Sequence, residues 1–325
     1  MEIEYMEEWR NLSGRDDNFT TRDFLLARET KNPESNSLTF GKVEIHSSIL
    51  DEIQDLVSRK INEVIENIND GYSSLNEYAS SNVNRDEQII QYLDAEDIPT
   101  IERIKSLFNE EEFNRTQFDN EDLPKPFFQA FRIKPADGSN LVAIKKFTLR
   151  QILGTSFFAN LVMRGGEEYN KIEENIIAIP KDFDCIICDG KVLILNQRNF
   201  ESIFDYYKEF KEATNEVEVE LDSTGINIYN QDELFESIKG NSNMVRKMKE
   251  VQENEYYRQL DMEIAKQLIE DFNLNIEVIE NESGDESLKI EDKRKLWDLI
   301  KLLNDDTLSS EFTDNNYIVS GKKSR

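Results

Sequence analysis

The stretch 183–195 constrains the fold more than any other part of this chain. Phe183 to Cys188 and Val192 to Leu195 are apolar, β-rich runs around Asp189-Gly190, a dipeptide suited to the positive φ values of a tight hairpin turn. The sequence therefore predicts a β-hairpin. Phe183, Cys185 and Ile187 would occupy one face and Ile186 and Cys188 the other, so both faces are apolar and the hairpin must be covered from both directions. Phe200, Ile203, Phe204, Tyr207 and Phe210 then recur at helical spacing behind Asn199, a suitable N-cap. The unit reads as strand, turn, strand and an amphipathic helix from Asn199 to Glu212.

Pro180-Lys181 leads into Phe183-Asp184. Ile186-Ile187, Asp189-Gly190, Leu193 to Asn196, Asn199-Phe200-Glu201 and Ile203-Phe204 follow. This succession resembles the core of the KwaB family, the soluble second component of the two-gene Kiwa antiphage system. The resemblance is closest from about Phe127 to Glu212 and outside it covers only the order of elements. It implies a non-enzymatic effector that assembles into a homodimer or larger homo-oligomer and binds invading double-stranded phage DNA. It also implies recruitment to the inner face of the membrane by a KwaA-like transmembrane partner.

Length and charge bound the alternatives. The chain has 325 residues, 38% of them hydrophobic, which supplies an ordinary core and room for more than one domain. Its 67 acidic and 39 basic residues leave a formal net charge of −28, which disfavours adhesion to polyanions over the surface as a whole. Contact with nucleic acid must be local. No apolar run approaches the roughly 18 residues needed to span a bilayer, and the start MEIEYMEEWR lacks a basic n-region and an apolar h-region. A cytoplasmic chain is the expectation.

The expected fold class is α+β, with mixed and antiparallel sheets, packed helices, the central hairpin with its helix, and a long helix in the C-terminal half. Three segments are distinguished. Residues 1–122 form an N-terminal α+β region with strands at Phe24 to Arg28, Leu38 to Ile45 and Gln88 to Leu93, a surface loop from Ser73 to Gln88, a helix capped by Ser48, and a helix from Thr100 to Phe108. Residues 123–215 form the family-like core. Residues 216–325 follow, with a strand through Val217, Val219 and Leu221, then a stretch without Pro or Gly from Asn241 to Phe272. A continuous helix there would be about 45 Å long, and its apolar stripe suggests a homodimer interface.

Between Lys125 and Arg150 lie six basic residues and one acidic one, a local +5. Alternation of Ala130, Arg132 and Lys134 against Phe131 and Ile133 places cations on one face of a strand, and after Asp137-Gly138 the return strand adds Lys145 and Lys146. One reading is that these cations neutralise nearby carboxylates. The sharper reading is a DNA-phosphate surface of Lys125, Arg132, Lys134, Lys145, Lys146 and Arg150, assisted by Lys293, Arg294 and Lys295 in a C-terminal helix.

Other chemistry is sparse. Asp184, Asp189 and Lys191 faintly match the carboxylate-lysine set of metal-dependent nucleases, which requires convergent carboxylates. Cys185 and Cys188 have C-x-x-C spacing, but residues three apart on a strand point to opposite faces. His46 is the only histidine, so no catalytic triad or zinc set is expected, and no cofactor. A third reading is an acidic interaction module that engages basic partners; the basic island argues against it.

Overall fold

A single eight-stranded sheet takes up most of the strand-forming sequence before residue 205. The computed structural model describes residues 3–13, 19–29, 38–80, 89–109, 113–114, 127–135, 139–148, 152–153, 161–164, 168–171, 176–177, 179, 181–280, 284–309 and 316–318. Contacts group the chain into two units, 1–78 with 84–205, and 79–83 with 206–325.

The strands of the first unit are β1 (Phe19–Glu29), β2 (Leu38–Val43), β3 (Ser74–Glu77), β4 (Ile89–Asp94), β5 (Phe128–Pro135) and β6 (Leu141–Lys146). Two short ribbons pair β7 (Ile152–Leu153) with β10 (Ile176–Ile177) and β8 (Leu161–Arg164) with β9 (Glu168–Lys171). The hairpin supplies β11 (Cys185–Cys188) and β12 (Lys191–Ile194). The sheet order is β2-β1-β5-β6-β11-β12-β4-β3, antiparallel except for the β3–β4 pair. The region expected to be a loop after Ser73 thus contributes an edge strand. β1 pairs with β5 from Ala27 opposite Phe128 to Phe19 opposite Pro135. Strands from both sides of residue 122 therefore share one sheet, and the two contact-defined units divide near residue 205.

The hairpin forms around Asp189 at φ 47 and Gly190 at φ 78, the conformation that makes Asp-Gly favourable. Every residue of β11 is buried, as are Val192, Leu193 and Ile194. One sheet face, carrying Phe24, Leu26, Phe131, Ile133, Ala143, Ile186 and Leu193, packs on α1 (Ile3–Ser13) and α2 (Ser47–Asn69) through Met6, Trp9, Val57, Ile61 and Val64. The cap of α2 is His46 rather than Ser48; its Nδ1 accepts the Ser48 N–H at 3.3 Å. The opposite face carries Leu25, Ala27, Phe128, Ala130 and Val142, all buried. The expected helix over Thr100 to Phe108 is a 3-10 turn (Ile101–Ile104) followed by α3 (Lys105–Asn109).

The helix expected from Asn199 to Glu212 is two helices. Asn196 caps α4 (Gln197–Ile203), accepting from the Asn199 N–H, and Asp205 at φ 58 breaks the path before α5 (Tyr206–Thr224). Asp tolerates this left-handed geometry better than most residues. α5 contains Val217, Val219 and Leu221, so no strand forms there.

The second unit continues with α6 (Gln231–Lys239), α7 (Ser242–Asn254), α8 (Met262–Asp271) and α9 (Leu296–Leu303). Its ribbons are β13 (Glu277–Glu280) with β14 (Glu286–Lys289), and β15 (Thr307–Ser309) with β16 (Asn316–Ile318). The 45 Å helix does not form. Glu255 at φ 56 ends α7 by donating its N–H to Val251, a 3-10 turn covers Tyr256–Gln259, and Asp261 caps α8 through the Ile264 N–H at 2.8 Å. Met244, Val245, Met248, Val251 and Leu260 of the expected interface stripe are buried in the chain's own core, whereas Ile264 is exposed. The fold class is α+β. Among the described residues no helix is long and apolar enough to cross a membrane.

Candidate nucleic-acid interface

Register decides where the hairpin cations point. β5 and β6 pair Phe128 with Lys146, Ala130 with Ile144 and Arg132 with Val142 on one face, and Gln129 with Lys145, Phe131 with Ala143 and Ile133 with Leu141 on the other. Arg132, Lys134 and Lys146 share a face; Lys145 lies opposite. Since both faces are covered, alternation does not separate core from solvent here.

Arg132 is completely buried. Its Nε donates to Asp23 Oδ2 at 3.1 Å, its Nη2 also meets Asp23, its Nη1 donates to the Leu107 carbonyl at 3.2 Å, and the guanidinium stacks 4.5 Å from the Phe113 ring centroid. Lys42 Nζ approaches the other oxygen of Asp23 at 2.7 Å. A buried charge is tolerable only with such pairing. Arg132 is thus removed from the proposed phosphate surface.

A second network surrounds Asp184, whose side chain has no exposed area. Its carboxylate accepts from Lys145 Nζ at 3.0 Å, from the Lys146 N–H at 2.7 Å and from Asn199 Nδ2 at 2.9 Å. Lys145 also bridges to Asp182 at 2.9 Å. Burial pulls the Lys145 pKa down, but the hydrogen bond to Asp182 and the charge of Asp184 outweigh it and hold the amine above its ordinary value. Lys145 is committed internally, so the neutralising reading holds for Lys145 and Arg132. Lys146 extends to the Ser202 hydroxyl on α4. The network ties β6, the start of β11 and α4 together.

Lys134 and Lys146 are half-buried at opposite ends of the β5–β6 pair. Lys125 and Arg150 lie outside the described residues. Lys293 to Lys295 form a 3-10 turn ahead of α9 rather than part of a helix. Arg294 is exposed and Lys295 half-buried, in the second unit, while the Lys293 side chain lies outside the description. Lys145 faces away from Arg132, Lys134 and Lys146, so these four described cations do not form one patch.

The nuclease set does not converge either. Asp184 and Asp189 stand at opposite ends of β11, roughly 16 Å apart along a strand. Asp189 accepts the Asn140 N–H at 3.3 Å, and Lys191 pairs with Asp94. Cys188 belongs to the core face beneath α2, whereas Cys185 does not. Burial, with the Asp184 charge, pushes the Cys185 thiol well up, which leaves it protonated and poorly nucleophilic. Sequence reasoning missed Asp23, Lys42, Asp182 and Ser202 as partners. Only Asp23 carried a local signal, a carboxylate opening the apolar run Phe24-Leu25-Leu26-Ala27.

The sequence model of the family described as Kiwa protein KwaB-like matches residues 128–313. The chain belongs to that family. The match starts at the first residue of β5, takes in Arg132 but not its partners, includes the whole Asp184 network, and continues into the second unit. Family membership implies a role in Kiwa antiphage defence. Comparisons with curated proteins and with solved structures return no match.

Proposed function

We propose that this KwaB-like chain is a non-enzymatic effector of antiphage defence that binds double-stranded DNA without strong sequence preference and acts with a membrane-embedded KwaA-like partner. The family match over residues 128–313 is the observation that carries this reading. The local cation excess of β5–β6 supports it, with Lys134 and Lys146 as contributors and Arg132 and Lys145 as the internal supports of their strands. At 0.15 M salt the screening length is about 8 Å, so local cations can attract phosphates while distant carboxylates are screened. A net charge of −28 keeps one copy weak, and two or more copies acting together raise the effective concentration. Fluorescence anisotropy with two unrelated duplexes at low salt tests the reading. Similar affinity for both is expected, and no binding to either would overturn it.

A further inference from the structure

The first unit holds a cleft of about 790 Å³ lined by Leu56, Arg59, Lys60, Asn62, Glu63, Glu66 and Lys181. α2 supplies one wall and the segment leading into the hairpin supplies Lys181. The volume falls in the range of small-ligand sites. Leu56 packs against the core beneath α2 and gives the cleft an apolar floor.

Two of the cations lining this cleft lack a carboxylate partner among the described residues. In a protein of net charge −28, cations usually meet a carboxylate, as Lys42, Lys191, Lys239, Lys266 and Lys289 do. Lys60 follows the pattern, paired with Glu63 at 3.1 Å. Arg59 and Lys181 are exposed and make no ion pair with a described residue. Two uncommitted cations therefore line one concavity, beside Asn62 and two carboxylates that can accept hydrogen bonds. A phosphate needs the fork of an Arg and the point charge of a Lys. Hydroxyl and amino groups beside that phosphate need acceptors such as Glu66 and Asn62.

We propose that the cleft between α2 and Lys181 is a phosphate-binding site, with Arg59 and Lys181 holding the anion and Leu56, Asn62 and Glu66 contacting the group that carries it. The phosphate belongs to a free nucleotide or to a nucleic-acid backbone. The backbone case rests on the DNA-binding reading above, whereas the nucleotide case does not.

Calorimetric titration of the full chain with AMP, adenosine, inorganic phosphate and a short DNA duplex tests this. The comparison variants are R59Q/K181Q and, as a control for general charge, Arg198→Gln, which removes an exposed cation outside the cleft. The parent should bind AMP or the duplex and not adenosine. R59Q/K181Q should weaken that binding at least about tenfold, the loss expected for one charge-assisted contact, while Arg198→Gln does not. Loss of AMP binding alone assigns the site to a free nucleotide, and loss of duplex binding alone assigns it to the backbone. Unchanged binding in R59Q/K181Q, an equal loss in Arg198→Gln, or binding of neither phosphate ligand by the parent would overturn the site. Duplex binding retained by R59Q/K181Q sinks the backbone case yet leaves the proposed function standing, so the two failures are distinguishable.

Discussion

Arg132 keeps its charge without exposed surface because Asp23, the Leu107 carbonyl and the Phe113 ring together replace its water. Removing it leaves Asp23 buried with only Lys42. Arg132→Ala should lower stability by about 3–5 kcal/mol; an unchanged urea midpoint would contradict the buried pair. Gly190 behaves differently. A Cβ there would meet nothing within 4 Å, so its φ of +78 is the whole constraint. Gly190→Val should cost on the order of 2 kcal/mol, whereas Gly190→Asn, which tolerates this geometry, should cost little in thermal melts; equal losses would mean a clash. Asp298 supplies a pH dependence. Burial raises its pKa, but hydrogen bonds from Asn275 and Lys301 outweigh that and leave it lowered. A depressed folded pKa contributes stability above the unfolded value of about 3.9 that is lost as pH falls below it. D298N should therefore lose less stability than the parent between about pH 5 and about pH 2, read from urea midpoints; identical losses would contradict the assignment.

At the scale of elements, the two misread helices share one cause. Asp205 and Glu255 take left-handed backbone geometry without being glycine, so the absence of Pro and Gly from Asn241 to Phe272 concealed a stop. The hairpin was legible because Asp189-Gly190 carries its turn chemistry in two adjacent residues. The cap at Asp261 could have been found: an Asp three residues before Ile264 in an apolar-periodic run is an N-cap signal. Asp261→Ala should cost about 1 kcal/mol and loosen amide-exchange protection in Met262–Asp271; unaltered protection would argue that packing alone holds that helix. The cation face of β5 was misread for a different reason. Period-2 alternation reports exposure only where one sheet face is open, and here both are covered.

For the whole molecule, the described basic residues of the hairpin fall into two sets. Arg132 and Lys145 hold strands in place against Asp23, Asp182 and Asp184, and Lys134 and Lys146 are the two proposed to contact phosphates. The fold class and the family resemblance were legible from short local patterns. The salt-bridge partners were not, because Asp23 and Arg132 are 109 residues apart in sequence and meet only through the β1–β5 pairing. Reversing Lys145 to Glu would thrust a carboxylate against Asp184, so it probes folding rather than binding. The most direct test is the salt dependence of duplex affinity, measured by anisotropy for the parent and for K134Q/K146Q. Each lost phosphate contact reduces the log–log slope by about 0.9. A slope shallower by up to about 1.8 is expected for K134Q/K146Q, with weaker binding to unrelated duplexes alike. An unchanged slope and affinity would contradict it.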